Sequence, residues 1–189
     1  WSKGWNNFLE VSDDANSLKK SGDFFDIKVD MLGVWDTVKA APTIPDRDDQ
    51  KLPENVAAAY HAISIDEQRD QFQVTRFNAD QRVTEMWFPG VHSDVGGGYA
   101  ETGLSDVSLS WMIDNACNHD LDFKGSYINS DVNPDCSATL HDSLADWPLG
   151  KITREIQTED LLHETVKERI TSVQIYNPGN VPQSSGMQV

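Results

Sequence analysis

The sequence predicts an α/β fold with a mainly parallel sheet flanked by helices, and three observations lead there. Two strand-like segments, residues 25–35 and 83–88, are rich in apolar, β-branched and aromatic side chains. Segments with helical spacing of apolar residues lie between and after them, and strands that alternate with helices are joined by crossovers that leave neighbours parallel. Hydrophobic residues make up 38% of the 189 and charged residues 24%, a composition that supports one packed domain.

Residues 1–23 are polar with scattered aromatics, and Ser12 to Ser17 reads as a loop. Phe25, Ile27, Val29 and Met31 alternate with Asp26, Lys28 and Asp30 before a continuous apolar run to Trp35, the pattern of a strand entering the interior. After a Pro- and Asp-rich connector, Val56, Ala59, Tyr60 and Ile63 repeat at helical spacing behind Pro53, which predicts an amphipathic helix over 53–65. Val83 to Phe88 reads as the second strand, stopped by Pro89-Gly90. Leu109, Met112, Ile113, Ala116 and Cys117 predict a helix capped by Ser105. Residues 120–150 are loop-rich, and Leu162, Val166 and Ile170 predict a last helix behind a Thr158 cap. The domain is read as residues 24–176, and 177–189 as a flexible tail. Two strands are fewer than a stable α/β sheet needs, so the domain is expected to be incomplete, with an N-terminal part supplied from elsewhere; a chain opening on Trp1 fits that expectation.

Composition narrows the function. A formal net charge of -16 argues against nucleic acid as partner, because polyphosphate affinity comes from Lys and Arg. Cys117 and Cys136 lack metal-type spacing and form no disulfide framework, so both are read as buried thiols. No apolar run is long enough to span a bilayer, and the first residues lack a signal-peptide core.

Two segments carry chemistry, each at the C-terminal end of a predicted strand, where open α/β sheets bind ligands. In Gly33-Val34-Trp35-Asp36-Thr37-Val38 a carboxylate leaves a buried strand and must be paired, since isolated burial of its charge is costly. In Phe88-Pro89-Gly90-Val91-His92-Ser93-Asp94-Val95-Gly96-Gly97-Gly98-Tyr99 a histidine precedes three glycines that free the backbone for unusual angles. His92 acting as general base with Asp36 fixing its tautomer would satisfy both segments, and the two side chains are expected to touch. Acid before histidine is also the order used by α/β-hydrolases, in which the serine precedes both.

Residues 33–38, Tyr60 to Glu67 and Trp87 to Tyr99 together resemble the catalytic domain of type VI secretion phospholipase effectors, with weaker likeness through Leu104 to Leu109 and the Leu162-His163 helix. The resemblance implies an α/β-hydrolase fold, hydrolysis of lipid esters by a Ser-Asp-His triad without a cofactor, and secretion by a type VI system. Carried over by motif, Asp36 is the triad acid and His92 the triad base. An immunity protein is the further partner such a family implies. The family's Gly-Phe-Ser-Arg-Gly elbow does not occur in this sequence, so the nucleophile is expected to lie outside the chain, which alone should be inactive.

Several residues admit competing readings. Asp94, two positions from His92, opens a metal-dependent alternative, and a non-catalytic interaction module that kept the fold is the other. Ser105 within Gly103 to Val107 lacks the elbow pattern and is read as a helix cap. His61 is read as scaffold, buried on a helix and bonded to Asp66 or backbone, while His119, His141 and His163 receive no role. The glycine run lacks the following lysine of a nucleotide loop.

Overall fold

The computed structural model describes residues 27–39 and 50–182. Its centre is a four-stranded parallel sheet: β1 (Leu32–Trp35), β2 (Ala59–Ser64), β3 (Val83–Phe88) and β4 (Leu161–Leu162), in that spatial order. Around it lie α1 (His92–Gly96), α2 (Gly103–Cys117), α3 (Gly125–Asp131) and α4 (Glu164–Ser172). The α/β fold with a parallel sheet is as the sequence predicts, yet four strands replace the expected two.

Residues 53–65, expected as an amphipathic helix, hold instead a turn followed by strand β2 over Ala59–Ser64. β2 is hydrogen-bonded on both edges, with Trp35 opposite Ala62 and Ala62 opposite Met86. A parallel strand covered on both faces selects a near-continuous apolar run, and such a run satisfies helical spacing as readily as any other. Ile63 faces a core of Ile65, Trp87, Ile156, Leu162 and Val166. Ala62 faces the opposite core of Phe88, Val95 and Val107, with Trp35, Met86 and Trp111 packed against it. The Pro53 carbonyl accepts the Val56 amide in a turn that precedes the strand.

Further boundaries move. The first strand is shorter than its alternation implies: β1 begins at Leu32, Val29 makes only an isolated bridge to Val56, and Phe25 lies outside the described residues. α2 begins at Gly103, so Ser105 is not its cap; its hydroxyl donates to the Thr102 carbonyl one turn back, a local bond open to any early serine. Leu162, expected in the last helix, pairs instead with Trp87 in β4, and His163, not Thr158, caps α4 by accepting the Thr165 amide. Neither cysteine is buried as expected: Cys117, the last residue of α2, is exposed, and Cys136 is half-buried. The start of the expected tail is ordered: Asn180 Nδ2 donates to the carbonyls of Ile65 and Arg154, both at 3.1 Å. The polar segment 1–23 and residues 183–189 lie outside the described residues.

Candidate acid–base site

Parallel strands deliver their C-terminal ends to one edge of a sheet, and three of those ends build the site. Asp36 follows β1 directly, and its amide continues the ladder to the Ala62 carbonyl at 2.7 Å before the chain turns with φ +40°. A non-glycine residue with positive φ is uncommon, and aspartate is among the types that tolerate it. The turn sends the carboxylate inward, where it has no solvent exposure.

Four donors meet that carboxylate. Oδ1 accepts from the Ser64 amide at 2.9 Å and from Arg154 Nη1 at 2.5 Å. Oδ2 accepts from Arg154 Nη2 at 3.0 Å and lies 2.7 Å from His92 Nδ1. Burial pushes the Asp36 carboxyl up; the His92 and Arg154 hydrogen bonds, the Arg154 charge and the Ser64 amide together outweigh it and hold the group below its ordinary 3.8. Asp36 is therefore an anion that can only accept, which makes His92 Nδ1 the donor and leaves Nε2 with its lone pair when the ring is neutral.

His92 is the first residue of α1, and its position is fixed from several directions. Its amide donates to Glu67 Oε2 at 3.2 Å. Its ring meets the edge of Phe72 at 5.1 Å between centroids, and Phe72 in turn abuts Trp147 at 5.7 Å. The Arg69 guanidinium lies 3.5 Å over the Phe72 ring while its Nη2 pairs with Glu67 Oε2 at 2.9 Å. Burial raises the Glu67 carboxyl, and its bonds from Arg69 and from the His92 amide bring it below the usual range. The His92 side chain keeps 29% of its surface exposed, and among the described residues no hydrogen bond reaches its Nε2. No described serine hydroxyl is bonded to that ring.

The glycines do two separate jobs. Gly90 has φ +125°, and a Cβ there would come within 2.6 Å of Asp94 Cβ, so the chain can pass between β3 and α1 only without a side chain. Gly97, at φ +81°, lets the chain leave α1 after five residues. Asp94 is not bonded to His92 and finds its partners elsewhere. Its Oδ2 accepts the amides of Val91 and His141, both at 3.1 Å, and its Oδ1 lies 2.6 Å from His141 Nδ1. Among the described residues no group of three or more His, Cys, Asp or Glu is placed to hold a metal ion.

His61 is scaffold, on a strand instead of a helix: Nε2 accepts the Thr37 amide at 3.1 Å, Nδ1 lies 3.0 Å from Glu85 Oε1, and Asp66 is not its partner. His119 meets Tyr60 Oη at 3.1 Å. Asp66 instead accepts from the Gly90 amide at 2.7 Å and from Tyr176 Oη at 2.9 Å. The contact between Asp36 and His92 is the one expected from the sequence, whereas Arg154, Phe72 and the Asp94–His141 pair are not foreseen there. Arg154 lies 118 positions from Asp36 in a stretch without periodicity, and nothing local marks it.

Comparison with known proteins adds a second line. A 75-residue stretch is 36% identical to an uncharacterized protein of Saccharomyces cerevisiae, covering 37% of this chain and 10% of that protein. A crystal structure of an uncharacterized protein from Pseudomonas aeruginosa aligns at 28% identity with a TM-score of 0.42, over 49% of this chain and 18% of that one. The chain thus spans about a tenth of the yeast protein and under a fifth of the bacterial one. The family model described as "T6SS, Phospholipase effector Tle1-like, catalytic domain" matches residues 4–115, a span that includes Asp36, Glu67 and His92 and ends before Arg154. With more than half of its length inside that match, the chain belongs to the Tle1-like catalytic-domain family of type VI secretion phospholipase effectors.

Proposed function

We propose that this chain contributes the acid–base half of a lipid-ester hydrolase, acting on a serine that lies outside it. Asp36 keeps His92 in the Nδ1–H tautomer, and Nε2 takes the proton of the serine hydroxyl as its oxygen attacks the ester carbonyl carbon. The tetrahedral intermediate collapses with loss of the alcohol, which receives that proton from Nε2. Water then repeats the sequence on the acyl-serine, and the enzyme is restored. The observation that carries the reading is the 2.7 Å contact between His92 Nδ1 and a fully buried Asp36, with no hydrogen bond to Nε2 among the described residues. Family membership supports lipids as the substrate class.

The test is hydrolysis of a p-nitrophenyl ester by the chain alone and after mixing with a polypeptide carrying the serine elbow. Turnover is expected only in the mixture and is expected to disappear in His92→Ala. Absence of turnover in both arms, or a mixture indifferent to His92→Ala, overturns the proposal. EDTA should leave the mixture's rate unchanged, because no step calls on a metal ion.

A further inference from the structure

Arg154 reaches the site from a segment beyond the family match; its two terminal nitrogens meet four acceptors, while its buried Nε has no hydrogen-bond partner among the described residues. Its segment is pinned by the Ile152 amide on the Gln68 carbonyl at 2.8 Å and by the Asn180 side chain on its own carbonyl. Besides both oxygens of Asp36, Nη1 donates to the Ser64 carbonyl at 2.8 Å and Nη2 to the Phe72 carbonyl at 2.6 Å. The guanidinium therefore joins the triad acid, the end of β2 and the turn whose aromatic ring borders His92. Its side chain is 2% exposed, so solvent screens the pairing little.

Two charges placed this way do more than pack. A forked guanidinium fits both carboxylate oxygens at once and fixes the plane of the group. It also changes the charge of the unit that His92 joins: with Arg154 the carboxylate is already balanced, so adding a proton to the imidazole creates a net positive cluster. Without Arg154 the same proton would neutralise a buried anion and would be held more tightly.

We propose that Arg154 is a positioning residue for the Asp36–His92 pair: it aims Oδ2 at His92 and offsets the charge of the carboxylate that the imidazole faces. The inference rests on the reading of Asp36 and His92 as the acid–base pair. The other charged groups around this cluster have partners of their own and none of those bonds involves Arg154. They are Glu67 and Arg69, paired with each other after β2, Asp66, held by Gly90 and Tyr176, and Asp94 with His141 on the α1 side.

The experiment is a pH titration of the His92 ring in the full chain by proton–nitrogen NMR, with its signal identified by its loss in His92→Gln. In Arg154→Met the midpoint is expected to rise by about one pH unit or more, a tenfold tighter proton. In Arg154→Lys, which keeps the charge but not the fork, it should rise by less than half as much. A midpoint that stays in place or falls in a natively folded Arg154→Met chain overturns the proposal. Should that variant fail to fold, Asp36→Asn is compared with Asp36→Asn/Arg154→Met, in which no buried charge is left unpaired. A higher midpoint in the double variant supports the charge role, and equal midpoints overturn it. The titration needs no turnover, so a failed esterase assay and a failed Arg154 assignment are read separately.

Discussion

Replacing Asp36 by Asn removes one charge and exchanges one acceptor for a donor, and the four contacts of the carboxylate set the consequence. The amide oxygen can take the Oδ1 place and keep the Ser64 amide and Arg154 Nη1. The amide nitrogen then falls in the Oδ2 place, facing Arg154 Nη2 and His92 Nδ1, which are both donors. The Arg154 charge stays buried with no anion against it. Breaking a buried pair from one side costs about 3–5 kcal/mol, and the surviving Oδ1 bonds place this variant near the lower end, at about 3 kcal/mol. For a chain of this size that lowers the melting temperature by roughly 6–12 °C. Denaturant unfolding monitored by tryptophan fluorescence at neutral pH reads the loss directly. A loss under about 1 kcal/mol would refute the reasoning, since it would mean that the carboxylate and guanidinium are not mutually dependent in the folded protein.

Two other predictions test the frame around the pair. Gly90→Ala places a Cβ 2.6 Å from Asp94 Cβ at a φ of +125°. It should cost about 2–4 kcal/mol by the same unfolding measurement, and an unchanged midpoint would contradict the close approach. Acid should unfold the protein through carboxylates whose folded-state values lie below the ordinary 3.8 and 4.5, namely Asp36, Glu67 and Glu85. Their stabilisation is complete above those ordinary values and is lost as pH falls through the lower folded ones; Asp66, raised by burial, acts in the opposite sense. Stability measured from pH 6 downward should therefore decline below about pH 4, and Asp36→Asn should decline less steeply.

Much of the site is legible in the sequence because its chemistry is local. Asp36 and His92 each sit at the end of an apolar run, and a charged or titratable group in that position needs a partner whatever the fold. The glycines of 96–98 also announce a backbone that ordinary residues avoid, and Gly97 and Gly98 have positive φ. Periodicity fails where burial is two-sided. In β2 the side chains of both faces are covered, Ala59, His61 and Ile63 on one and Ala62 and Ser64 on the other, so the apolar–polar period of two that marks a half-exposed strand is absent. β4 is two residues long, too short to leave any pattern, and its Leu162 reads as part of the neighbouring helix. Arg154 and Phe72 are illegible for a different reason: they reach the site through tertiary packing across long sequence separations, in segments whose own pattern is that of loops.

The measurement that bears most directly on the account is the protonation state of the two His92 nitrogens, read from a long-range proton–nitrogen spectrum of the intact chain at a pH where the ring is neutral. Hydrogen on Nδ1 with a bare Nε2 is the predicted result, because only that form donates to Asp36 and keeps a lone pair for a serine hydroxyl. Hydrogen on Nε2 would contradict it, for the ring could then neither bond Asp36 as described nor serve as the base.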